Sequence, residues 1–239
     1  MSEPQLIVQD FGGINNGDLD ATGARLIRGG SWKRQRCVMV IPADEMMHSK
    51  VALAMCNLIF PPNNGVVRIL AQGMEVGHAY SAAIEQILAH PQLRDFEFLV
   101  TLEHDNLAPS DGILKLIEDL ESHPELSVVS GLYFTKGENG CAQIWGDVSD
   151  PIVNFRPQIP KPESLQECVG TGMGFAVWRM SMFKDERIEK PWFKTEKGAN
   201  GVATQDLSFW TKARKWGYRC AVDTRVKVGH IDTATGFVW

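Results

Sequence analysis

From Cys37 onward the chain alternates short apolar runs with stretches in which apolar residues recur every three or four positions. Val38-Met39-Val40-Ile41, ending at Pro42, predicts a buried parallel strand. Ser49 precedes Val51, Ala54, Met55 and Leu58 at helical spacing, so a helix capped by Ser49 is expected. The cluster PPNNG at 61–65 marks a turn. A second strand follows over 66–71, then a helix over 77–89 that buries Tyr80, Ile84, Ile87 and Leu88. A third strand spans 96–102. Ser110 then opens a helix with Ile113, Leu116, Ile117 and Leu120 on one face. Repeated strand–helix units of this kind predict an α/β fold with a parallel sheet built from right-handed crossovers.

The alternation breaks after residue 126. Segments 126–134 and 141–145 predict strands around a KGENG turn, and 150–168, with four prolines, reads as a loop. An apolar run over 169–178 starts with GTGMG. Residues 204–216 predict a helix capped by Thr204 and ended by Gly217, with short strands at 218–222 and 226–229. Residues 1–36 are rich in Gly, Asn and Asp, then basic, and show no sustained period. The expected organisation is a basic arm over 1–36 and a single domain over 37–239 in two halves, one nucleotide-binding-like and one mixed. Ligands of open α/β sheets sit beyond the carboxyl ends of the strands, which places Pro42–Glu45, Ala71–Gly73 and Glu103–Asn106 on one rim.

Composition narrows the classes. With 239 residues, 44% hydrophobic and 22% charged, the chain is ordinary globular material, not a collagen, coiled coil or disordered segment. No apolar run has the length of a membrane helix and no secretory pattern opens the chain, so no membrane partner is expected. Five cysteines, at 37, 56, 141, 168 and 220, form no CxxC pair, which points to a reducing, cytoplasmic setting. The net charge of −5 is unevenly spread. Residues 21–36 carry five bases and no acid, and 204–239 carry six bases against three acids. Such basic stretches on an acidic protein are either solvated surface or a face for a polyanion.

The chemistry gathers at Glu103-His104-Asp105, where a buried strand ends in two acids one residue apart. Two carboxylates placed so can reach one hard divalent cation, with water and phosphate filling its other positions. A plain turn at Asp105-Asn106 is the alternative. The three glycines of Gly170-Thr171-Gly172-Met173-Gly174 indicate close backbone approach, to a ligand or within a bulge. No helical pattern follows them, which excludes a dinucleotide fingerprint.

Taken in order, the strand ending in Ile41-Pro42, the acid-x-Asp motif, the glycine-rich strand entry and Thr204-Gln205-Asp206 opening a helix, then Trp216-Gly217-Tyr218, Asp223 and Gly229-His230, resemble a GT-A-fold glycosyltransferase of the large inverting family that uses nucleotide sugars. The resemblance spans 37–232. It implies a mostly parallel Rossmann-like nucleotide-binding half joined to a mixed-sheet acceptor half, a Mn²⁺ or Mg²⁺ cofactor and a nucleotide-sugar donor, most commonly a UDP-sugar. Asp105 and His230 would hold the metal, with Glu103 on the metal or on the ribose hydroxyls. Asp206 would be the general base. Pro42, Ala43, Glu45, Gln72, Gly73, His104 and Gly172 would line the donor. The helix after the second strand departs from the family pattern, with His78-Ala79-Tyr80 where an Arg-Asn pair is common. Trp145, Trp192 and Phe193 are candidates for stacking on a sugar, with core packing as the alternative.

The resemblance implies a hydroxyl compound as acceptor. The basic stretches make a hydroxymethylated pyrimidine of phage DNA one candidate. Surface polysaccharide is another, and a non-catalytic nucleotide-sugar-binding protein is the alternative outside enzymes.

Overall fold

The computed structural model describes residues 36–61, 67–198 and 201–239. The arm expected over 1–36 lies outside them except for Arg36, and the PPNNG turn except for Pro61. Arg36 is tied down: its backbone N–H and guanidinium both donate to the Glu97 carboxylate.

Strands β1 (Cys37–Ala43), β2 (Val67–Gln72), β3 (Phe98–Leu102), β5 (Val128–Leu132), β7 (Leu165–Cys168), β9 (Phe175–Arg179) and β12 (Cys220–Lys227) form one sheet in the order β2-β1-β3-β9-β5-β12-β7. β2, β1 and β3 run parallel, as do β5 and β12. β9 is antiparallel to both β3 and β5 and sits between them, and β7 is antiparallel to β12 at the edge. The predicted parallel half is therefore present, and the mixed half begins at β9.

Alternation along the strands builds the layers. Cys37, Met39 and Ile41 of β1, with Phe98, Val100 and Leu102 of β3, face helices α1 (Ser49–Cys56) and α3 (Gly112–Ser122). Val38, Val40, Leu99 and Trp178 face α2 (Val76–Ala89) and α4 (Gln205–Ala213). Helix α2 buries Tyr80, Ala83, Ile84 and Ile87, one stripe at helical spacing. On that side Trp178 is ringed by Phe183, Phe193, Phe209 and Trp210. Its indole N–H donates to Thr101 Oγ1 at 3.0 Å, and that of Trp210 to the Thr171 carbonyl at 3.0 Å.

Three caps differ from expectation. His48, not Ser49, caps α1, its ring accepting from Lys50 N. α3 starts after Asp111, which pairs with Lys115 at 2.9 Å, while the Ser110 carbonyl accepts from Ile59 N. Thr204 is at the N-cap of α4, but its hydroxyl turns to the Asp206 carboxylate. The stretch 150–168 is not all loop, because Leu165–Cys168 pairs with β12. The two strands expected near the C-terminus are one irregular strand, β12, followed by β13 (Gly229–His230). No disulfide joins the cysteines among the described residues, and Cys168 and Cys220 lie on adjacent strands at an Sγ–Sγ distance of 3.8 Å. No helix among the described residues is long and apolar enough to cross a membrane.

Candidate active site

The site lies where β1, β2 and β3 end. Pro42 pairs with Ala71 and Ala43 with Gln72, so the two strand ends are level. Past them, the Gln72 side chain reaches the Asp44 carbonyl at 3.5 Å, and His104 Nε2 lies 3.4 Å from Asp44 Oδ2. Glu45, Gln72 and Gly73 are exposed there, while Pro42 and Ala43 are buried in the strand end. The rim expected of these residues is thus a continuous ledge.

Beyond β3 the chain turns at Glu103–Asp105 and enters β4 (Asn106–Leu107), which pairs antiparallel with β13. That pairing matches His230 with Asn106 and brings His230 Nε2 to 3.3 Å from Asp105 Oδ2, across 125 positions of sequence. Two further bonds hold the arrangement. Ile231 N donates to the Asp105 carbonyl, and His230 Nδ1 lies 2.7 Å from the Phe134 carbonyl. With Nδ1 facing a carbonyl, one imidazole N–H belongs there; Nε2 donates to Asp105 when the ring carries both protons and offers its lone pair to a cation when the ring is neutral. Lys136 joins the same carboxylate, Nζ at 2.5 Å from Asp105 Oδ2. Burial alone would raise the Asp105 pKa, but the bonds from His230 and Lys136 prevail and hold it down at about 2, fully ionised at neutral pH.

Glu103 behaves oppositely. Desolvation, then the charges of Asp105 and Asp206, push its pKa up to about 8, so it keeps its proton at neutral pH when no other cation is near. Around it the site is polar and enclosed. Among the described residues, Tyr80 Oη and both polar atoms of the Asn106 amide are buried without a partner, and Tyr133 Oη accepts from Gly174 N at 2.8 Å. The glycine-rich entry is explained by these neighbours. A Cβ on Gly172 would lie 2.1 Å from Tyr133 Oη and 2.8 Å from Gln143 Oε1. One on Gly174 would lie 2.7 Å from the Tyr133 ring and 2.8 Å from Asn106 Nδ2. The close approach at Gly172 is therefore to the Tyr133 hydroxyl.

Asp206 sits in the first turn of α4, only 7% exposed. Its Oδ1 accepts from Thr204 Oγ1 and from Leu207 N. Burial nevertheless raises its pKa. Its charge is felt by both Glu103 and Tyr133, which puts it on the same side of the site. Trp192 and Phe193 are buried in the aromatic core, which is the packing role, one of the two that the sequence left open. Trp145 is half-buried, its indole donating to Gln143 Oε1.

The donor set can be weighed for a cation. An ionised carboxylate and an imidazole lone pair converging within 3.3 Å are ligands that Mn²⁺ accepts. Among the described residues no third His, Cys, Asp or Glu completes the set, so the remaining positions fall to phosphate oxygens and water. The residues fit a metal shared with a diphosphate.

No protein-family model matches the chain. No curated protein matches it by sequence either. Its architecture, however, is that of solved structures. A197 from STIV superposes with a TM-score of 0.60 over 83% of this chain and 87% of its own, at 18% identity. GalNAc-T7, solved with UDP, GalNAc and Mn²⁺, superposes with a TM-score of 0.57 over 85% of this chain at 11% identity. The fold is of the GT-A type. The chain spans 45% of the GalNAc-T7 structure, and at these identities the likeness concerns the GT-A architecture alone.

Two residues of the site were given no chemical role by the sequence. Lys136 sits in a KGENG turn, where a lysine reads as solvated surface. Asn106 adjoins the acid motif, but only the β4–β13 pairing shows that its amide is buried.

Proposed function

We propose that the protein is a metal-dependent glycosyltransferase that moves a sugar from a nucleotide sugar, a UDP-sugar first among them, to an acceptor hydroxyl with inversion. The observation that carries this reading is the convergence of Asp105 and His230 beside the strand-end ledge. The GT-A architecture and the UDP and Mn²⁺ of GalNAc-T7 support it. Asp105 and His230 would hold Mn²⁺ or Mg²⁺, which when bound supplies charge stabilisation to the departing diphosphate. Glu103 would reach the ribose hydroxyls or the metal. Pro42, Ala43, Glu45, Gln72, Gly73 and His104 would border the nucleotide, and Gly172 would support the floor beside Tyr133.

In this reading the acceptor hydroxyl forms a bond to the anomeric carbon as the bond to the diphosphate oxygen breaks, and the electron pair leaves with the diphosphate. The acceptor proton passes to Asp206. A buried carboxylate whose pKa is raised is a better proton acceptor than an exposed one. The acceptor we infer is a hydroxymethylated pyrimidine of DNA, on the strength of the basic stretches at 21–36 and 204–239, and the protein acts in the cytoplasm as a single domain over 37–239 with a basic arm. Surface polysaccharide is the alternative acceptor.

The test is transfer from a panel of nucleotide sugars, with Mn²⁺, to hydroxymethylated duplex and single-stranded DNA at low salt and to polysaccharide acceptors. Asp206→Asn should lower transfer by roughly a hundredfold or more while nucleotide binding persists. Transfer to polysaccharide alone removes the DNA acceptor. A fully active Asp206→Asn removes the base, and binding without transfer or donor hydrolysis leaves a non-catalytic binding protein.

A further inference from the structure

Lys136 has no part in the reading so far, yet it occupies the centre of the site. Its ammonium lies 2.5 Å from Asp105 Oδ2, the oxygen that also faces His230 Nε2 at 3.3 Å. The loop that presents it is built, not incidental. Thr135 N donates to the Cys141 carbonyl, Cys141 N to Thr135 Oγ1, and Gly140 N to the Gly137 carbonyl, with Gly137 at φ 106°. The same loop fixes His230 through the Phe134 carbonyl. One hairpin thus orients the imidazole and delivers the ammonium. The Lys136 side chain is also 35% exposed, so it is open to solvent while its ammonium rests on Asp105.

We propose that Lys136 is a diphosphate-binding residue, held on Asp105 while the site lacks a donor and transferred to the donor's phosphates when one binds. This rests on the glycosyltransferase reading of the site. The ammonium cannot share Oδ2 at its observed distance with a divalent cation, since like charges repel at close range. It must move when both ligands enter, and the incoming diphosphate is then the anion within reach of its flexible stem. A lysine is a mobile point charge suited to phosphate. Its charge also makes the site receptive to diphosphate before any metal arrives.

The experiment is isothermal titration of UDP, GDP, CDP and inorganic pyrophosphate into the wild type, Lys136→Gln, Lys136→Met and Lys136→Arg, each in EDTA and in Mn²⁺. Thermal unfolding of every variant checks the fold, and the Gln and Met variants stand in for each other. The expected result is measurable wild-type binding in EDTA, a loss of roughly tenfold or more in the Gln and Met variants, and retention within about threefold in Arg. In Mn²⁺ the losses should be smaller. Unchanged binding by the Gln and Met variants in EDTA, or wild-type binding that needs Mn²⁺, overturns the role of Lys136 and leaves the transferase reading standing. No binding of any probe in either buffer overturns both. Lys136-dependent pyrophosphate binding without any sugar transfer supports the lysine and removes the transferase.

Discussion

Replacing Glu103 by Gln should remove a loss of stability that the wild type suffers as pH rises. The wild-type carboxyl has an ordinary pKa of 4.5 and is raised to about 8 by burial and by Asp105 and Asp206. The folded state therefore binds a proton that the unfolded chain releases between those values. Its favourable contribution is complete below 4.5 and is lost as pH climbs through about 8. A rise of that size has a ceiling of about 5 kcal/mol. Water reaches part of the side chain and the neighbouring acids readjust, so a measured effect of about 1–3 kcal/mol is expected. Gln offers the same shape with no proton to lose. Thermal unfolding in EDTA from pH 5 to 9 should show wild type and Glu103→Gln close together at pH 5. The variant should then melt higher by roughly 3–10 °C at pH 9, at ~2–4 °C per kcal/mol for a chain of this size. Asp206 titrates with the same sign in both proteins and largely cancels in the difference. Asp105 works in another window: its contribution is present above 3.8 and lost as pH falls through about 2. Parallel curves from pH 5 to 9 would refute the placement of Glu103 as a buried neutral acid.

His230→Ala should abolish the rise in melting temperature that Mn²⁺ gives in the presence of UDP, while leaving the melt in EDTA within a few degrees of wild type; an unchanged Mn²⁺ response would remove His230 from the metal. Gly172→Ala drives a methyl into the Tyr133 hydroxyl and should cost about 1–3 kcal/mol in urea unfolding, and a neutral result would mean that the Tyr133–Gly174 bond is not held as described.

The helices were legible because their stripes are strong: Tyr80, Ile84 and Ile87 in α2, and Ile113, Leu116, Ile117 and Leu120 in α3, all stand where the spacing puts them. Strands β1 and β3 were legible because every residue of each is buried. β7 was not. At the sheet edge it has one neighbour, its Leu165-Gln166-Glu167-Cys168 is short and half polar, and the prolines before it mask its start. Its one well-buried polar side chain, Gln166, is satisfied by Lys161 N and the Ile159 carbonyl, bonds that no periodicity announces. The site divided in the same way. Asp105, His230 and Asp206 belong to motifs with an order along the chain, whereas Lys136 acquires its position from a hairpin that only tertiary pairing aims at Asp105.

The place of β9 between β3 and β5 has a consequence for how the protein is made. Until Phe175–Arg179 leave the ribosome, the emerging chain carries two apolar strands, β3 and β5, whose inner edges have no neighbour. Such bare edges invite pairing with other molecules. Closure then waits on contacts between segments far apart in the chain, which slows assembly. Because Gly174 leads straight into that late strand and its carbonyl accepts from Glu103 N, the acidic turn is locked only as the central gap is filled. Setting of the acidic turn and filling of the central gap are one event.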